Sequence, residues 1–160
     1  EDYIDLSPKD AEVKRELANL YLTRANIHRD QYEQVRVEAE SHGSGGLFGP
    51  SQTTDFGRAL GGKIDQEFQT IFSERLNDAG TRMTAAYYRA ATLYSQVVAT
   101  RPDDEALLQL QLGDAAYSAR RIPLALKSYN RFLELAPDDP SAKQVRDRIE
   151  LLKSFAGTTG

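Results

Sequence analysis

The stretch EALLQLQLGDAAYSARRIPLALKSYNRFLELAPDD, running from Glu105 to Asp139, decides how this chain is read. Leu107, Leu108, Leu110, Leu112, Ala115 and Ala116 give apolar surface to a helix that runs to about Ala119, and Asp103 or Asp104 stands where a cap is needed. Arg120-Arg121-Ile122-Pro123 reads as a short turn. A second helix follows with Leu124, Leu126, Tyr129, Phe132, Leu133 and Leu135. It stops at Ala136-Pro137, because proline has no amide hydrogen and restricts the residue before it.

Working outward, Asp139-Pro140 opens a third helix over 139–156, with Ala142, Val145, Ile149, Leu152 and Phe155 on one face and charges on the other. Upstream, two much longer segments keep the helical period. Over 8–41, Ser7-Pro8 reads as N-cap and first helical residue, with Asp10 as a weaker capping partner. Its apolar stripe is Val13, Leu17, Leu20, Tyr21, Ala25, His28, Tyr32 and Val35, in steps of three and four. Over 63–101 the stripe is stronger, taking in Ile64, Phe68, Ile71, Phe72, Leu76, Ala79, Met83, Ala86, Tyr87, Ala90, Tyr94 and Val97, and it ends at Arg101-Pro102. At about 1.5 Å per residue such helices span roughly 50–57 Å. Between them, 42–62 holds seven of the eleven glycines together with Pro50, and reads as a surface loop.

No segment carries a useful strand period, so the expected fold is all-α and a single domain over 1–160. It comprises a long antiparallel helical hairpin, a helix-turn-helix unit over 104–137 packed on it, and a capping helix. An alternative stays open, in which each long segment holds a tight turn, near Arg24–Asn26 and near Asp78–Gly80.

Composition removes chemistry. Of 160 residues none is cysteine and two are histidine, His28 and His42, which excludes disulfides and thiolate sites and nearly excludes an imidazole-based metal centre. The net charge of -4 argues against a sequence-independent nucleic-acid binder. That charge sits wholly in residues 1–40, where ten acids face six bases. No apolar run is long enough to cross a bilayer. The opening Glu1-Asp2-Tyr3 has no initiator Met and no basic leader region, the start expected of a mature product or an excised segment, which leaves the compartment open.

The Glu105–Asp139 stretch resembles a tetratricopeptide repeat, a unit of about 34 residues folded as two antiparallel helices. The resemblance rests on Leu112-Gly113, on Tyr117 one residue after the usual aromatic, on Ala125 and Tyr129, and on the closing Pro137-Asp138-Asp139. Gln109 and Phe132 depart from it, standing where an aromatic and a small residue are usual. Ala90, Tyr94 and Arg101-Pro102-Asp103-Asp104 resemble the second half of a preceding unit. Asp10-Ala11-Glu12, Leu17-Ala18, Asn19 and Tyr21 resemble the first helix of another, although Asp30 stands where its second helix would carry a small residue. The last helix resembles the solvating helix that ends such arrays.

The resemblance implies a protein-binding adaptor or scaffold without enzymatic activity or cofactor. It would take a peptide or partner helix on the face made by the first helices. Leu107, Leu110, Asp114 and Tyr117 would line that face, with Arg15, Asn19 and Leu22 from the N-terminal element. Arg15 and Asn19 match the Lys/Arg and Asn pair of members that clamp a chaperone's terminal carboxylate. Asp114 replaces the later Asn of that set and would set a like charge against the carboxylate. A second expectation is self-assembly through the long helices.

Other motifs weigh less. Gly57-Arg58-Ala59-Leu60-Gly61-Gly62-Lys63 fits most of a phosphate-binding loop, but Ile64 stands in place of the magnesium-binding hydroxyl and no buried strand precedes it. The acidic pairs at 103–104 and 138–139 read as helix caps, and Arg120-Arg121 as a solvated turn. His28 reads as a satisfied histidine of the hairpin.

Overall fold

A computed structural model describes residues 10–43, 55–100 and 105–157. These fold into five helices: α1 (Ala11–Gly43), α2 (Asp55–Thr100), α3 (Ala106–Ser118), α4 (Ile122–Leu135) and α5 (Ala142–Gly157). No strand occurs among the described residues. The two long segments are therefore single helices, with no turn at 24–26 or 78–80, and they make a long antiparallel hairpin.

Capping differs from expectation. The start of α1 is held by Asp10, whose Oδ1 accepts from the backbone amides of Glu12 (3.0 Å) and Val13 (3.2 Å). Ser7 and Pro8 lie outside the described residues, as do Asp103, Asp104 and the Arg101-Pro102 stop. Glu105 precedes α3 without making a side-chain cap. The expected loop over 42–62 is shorter at both ends, since α1 runs through Gly43 and α2 begins at Asp55. Extending an established helix adds one hydrogen bond per residue fixed, and no proline stands between Pro50 and Pro102 to stop it. The remainder of that loop, 44–54, lies outside the described residues. The Gly57–Lys63 segment is helical, so its backbone does not wrap as a phosphate-binding loop does.

The chain divides into two compact units. The first joins the start of α1 and the end of α2 to α3, α4 and α5. Its core is built largely of small residues at helix crossings: Ala18, Ala90, Ala91, Ala115, Ala116 and Ala125 are all fully buried. Tyr94, Tyr129, Phe132 and Val145 fill the space between. Gly113 sets the approach of α3 to α4, because a Cβ there would stand 2.5 Å from the Tyr129 ring. Any larger residue must push aside a ring that has no exposed surface. The α3 end is closed by Arg120, at φ 57, with Arg120 N donating to the Tyr117 carbonyl (2.9 Å) and Arg121 N to that of Ala116 (2.8 Å). This is a Schellman ending with arginine where glycine is usual. Pro123 then sits in the first turn of α4, where its missing amide costs nothing.

The second unit, Ala25–Met83, consists of the remaining lengths of α1 and α2. Among the described residues, Ala25, Val35, Phe72 and Ala79 are its buried apolar side chains. The Tyr32 ring lies 3.6 Å from the space beside Gly80, and Arg75 crosses to Glu38 at 3.1 Å. His28 is half-buried, with Nδ1 3.0 Å from Gln31 Oε1, and so has a local partner. Leu20 and Ile71, expected on the apolar stripes, are instead 65% and 48% exposed. Each lies about 100° around its helix from an adjacent buried residue, Tyr21 or Phe72, and a helix facing one neighbour buries only a narrow stripe.

Candidate interaction surface

The seven candidate binding residues all fall in the first unit. On α3, Leu107 is 55% exposed and Tyr117 38%, while Leu110 is half-buried and packs on the core. The three recur at helical spacing, so α3 buries Leu108, Leu112, Ala115 and Ala116 and turns a second, partly apolar flank outward. On α1, Leu22 is half-buried against the same core. Leu22 and Leu110 thus serve packing as much as display.

The three polar candidates are engaged within the chain. Arg15 pairs with Glu105 at 2.7 Å, bridging α1 to the start of α3. Asn19 Oδ1 accepts the Tyr94 hydroxyl at 2.6 Å. Burial pushes the Tyr94 hydroxyl above its ordinary pKa, and the nearby Arg15 charge works in the opposite direction. The pair that resembles a carboxylate clamp is therefore already committed to Glu105 and Tyr94.

Asp114 does not present an unopposed negative charge. It accepts the Tyr129 hydroxyl of α4 at 2.7 Å and a charge-assisted bond from Arg148 Nη1 of α5. Arg148 Nη1 also lies 3.5 Å from the Tyr129 oxygen. Burial raises the Tyr129 hydroxyl strongly, and the Asp114 acceptor and its charge raise it further. One carboxylate thus ties three helices together at the edge of the exposed α3 flank. Arg148 was not among the sequence candidates. A signal existed, since Asp114 and Arg148 are 34 residues apart, one length of the resembled repeat.

Arg121 departs from the solvated turn expected of Arg120-Arg121. Its guanidinium lies 4.9 Å from the Tyr88 ring centroid and donates to Thr92 Oγ1 at 3.2 Å, fastening the α3–α4 turn to α2. Asp139 acts as a cap, with Oδ1 accepting from Ser141 N at 2.8 Å ahead of α5. Among the described residues no group of three or more His, Asp or Glu could hold a metal ion, and no helix is long and apolar enough to cross a membrane. No family model matches this chain, and no curated protein or solved structure matches it.

Proposed function

We propose that this chain is a protein–protein interaction module of tetratricopeptide type, which takes a peptide or partner helix along the outward flank of α3. The observation that carries this reading is the combination of exposed apolar side chains, Leu107 and Tyr117, with neighbouring charges that are already compensated. An apolar flank bordered by satisfied ion pairs offers burial to a partner without requiring it to neutralise a charge. The close α3–α4 approach at Gly113 and Tyr129 supports the repeat reading, since it is the role the small residue has in that family. Because Arg15 and Asn19 are engaged by Glu105 and Tyr94, the reading favours an uncharged, apolar stretch of partner over a terminal carboxylate.

The reading is tested by screening the full chain on a peptide array and measuring the hits by titration calorimetry. Tyr117→Ala is expected to weaken binding at least about tenfold, or about 1.4 kcal/mol. Leu110→Glu should do the same, and thermal melts of both variants separate lost binding from lost folding. Hits that bind both folded variants as tightly as the original chain would defeat the proposal.

A further inference from the structure

On the first unit a second concavity of about 710 Å³ lies between the end of α2, α3 and α4. None of the residues discussed above as binding candidates lines it. Its volume falls within the range of sites that take small molecules or short peptide segments. Leu112 and the Ser128 side chain, each 2% exposed, lie at its base, and Val98 and Leu124 form half-buried walls.

Two polar groups on this groove have no partner among the described residues. Thr23, Thr70, Ser73, Thr92 and Ser154 each turn a hydroxyl back onto a carbonyl of their own helix. The Ser128 hydroxyl makes no such bond, nor any other among the described residues, although the side chain is almost wholly buried. That hydroxyl lies at the groove surface, so it leaves a hydrogen bond available to whatever enters. Lys127 is the second group. It stands exposed on the rim without an ion pair among the described residues. The nearby Glu134 is taken by Arg131 at 3.0 Å. Among the described residues that line the groove, Lys127 is thus a positive charge without an ion-pair partner above an apolar base.

The geometry points to this groove as a second binding site, independent of the α3 flank, for an extended peptide segment of a partner protein with alternating acidic and apolar residues. The groove follows α4 from Leu124 to Glu134, about 15 Å, which is the length of four or five extended residues. An acidic side chain pairs with Lys127, a peptide carbonyl accepts from Ser128, and apolar side chains cover Leu112 and Leu124. One free cation among the described residues of the groove, beside an apolar surface, is poorly suited to a nucleic-acid backbone, which needs several basic contacts.

The test is a titration of the isotope-labelled full chain followed by amide resonances, using acetyl-Leu-Glu-Leu-Glu-Leu-amide as probe. The expected result is saturable shifts at Val98, Leu124, Lys127 and Ser128. The corresponding Leu-Lys-Leu-Lys-Leu peptide should bind about tenfold more weakly, and Lys127→Glu should reverse that order. Equal binding of both peptides, or no shifts at millimolar probe, overturns the proposal. So do equal shifts produced by sulfate alone, which would mean a simple anion site. Shifts confined to Leu107, Leu110 and Tyr117 overturn it while supporting the α3 surface.

Discussion

Tyr129 sits at the meeting point of three helices, with its ring against Gly113 and its hydroxyl on Asp114. Burial and the neighbouring carboxylate both keep its proton on, and burial does the same for Tyr94. In the unfolded chain a tyrosine ionises near pH 10, whereas these two hold their protons beyond it in the fold. Above that pH the unfolded state binds fewer protons than the native one, so stability is intact below about pH 10 and falls as the pH rises. For Tyr129, whose proton is held far beyond that pH, the loss approaches about 1.4 kcal/mol per pH unit, and Tyr94 adds to it in the same direction. Tyr129→Phe removes one share, and urea melts between about pH 9 and 11 should show a shallower decline for it than for the parent chain. An unchanged slope would contradict the assignment. The close approach of α3 to α4 at Gly113 was legible in the sequence from its small residue, but not that the Tyr129 ring is what fills it. The bonds to Asp114 were not, since hydrogen bonding depends on rotamers that periodicity does not specify.

At the scale of elements, periodicity was a sound guide and punctuation a poor one. The stripes over 8–41 and 63–101 carried the long hairpin, yet seven clustered glycines concealed that helix α2 starts at Asp55. Glycine weakens a helix by about 1 kcal/mol per site without forbidding it, and a long helix can absorb that cost. The α3–α4 turn was found from Pro123, while its left-handed residue was missed because arginine fills it. A non-glycine residue in that conformation costs about 1–2 kcal/mol, part of which glycine returns as entropy of the unfolded chain. Arg120→Gly should therefore stabilise the fold by about 0.5–1 kcal/mol, a rise of roughly 1–4 °C in Tm by calorimetry. A fall in Tm would show that the Arg120 side chain stabilises the fold in a way not apparent from its exposed position.

For the whole molecule, the two units differ in how they are built. The first has a many-sided core shared by parts of five helices, so its amides lie behind several layers of packing. In the second, the described residues of two helices bury few large apolar side chains and carry exposed ion pairs such as Arg36 with Glu33 and Glu40. Exposed pairs of that kind contribute little, typically under about 1 kcal/mol each. Native-state hydrogen exchange should accordingly show openings of lower free energy at Val35 and Phe72 than at Ala115 and Tyr129. Equal protection throughout would mean that the chain opens only as one cooperative body. The bond between Asp114, Tyr129 and Arg148 has an optical consequence as well. The chain has eight tyrosines and no tryptophan, so the long-wavelength part of its near-ultraviolet signal comes from tyrosine. A phenol hydrogen-bonded to a carboxylate absorbs and emits differently from one in water, and Tyr129 holds that bond only while α3 and α4 stay registered. One of the eight phenols thus reports, without any added label, whether α3 and α4 stay in register.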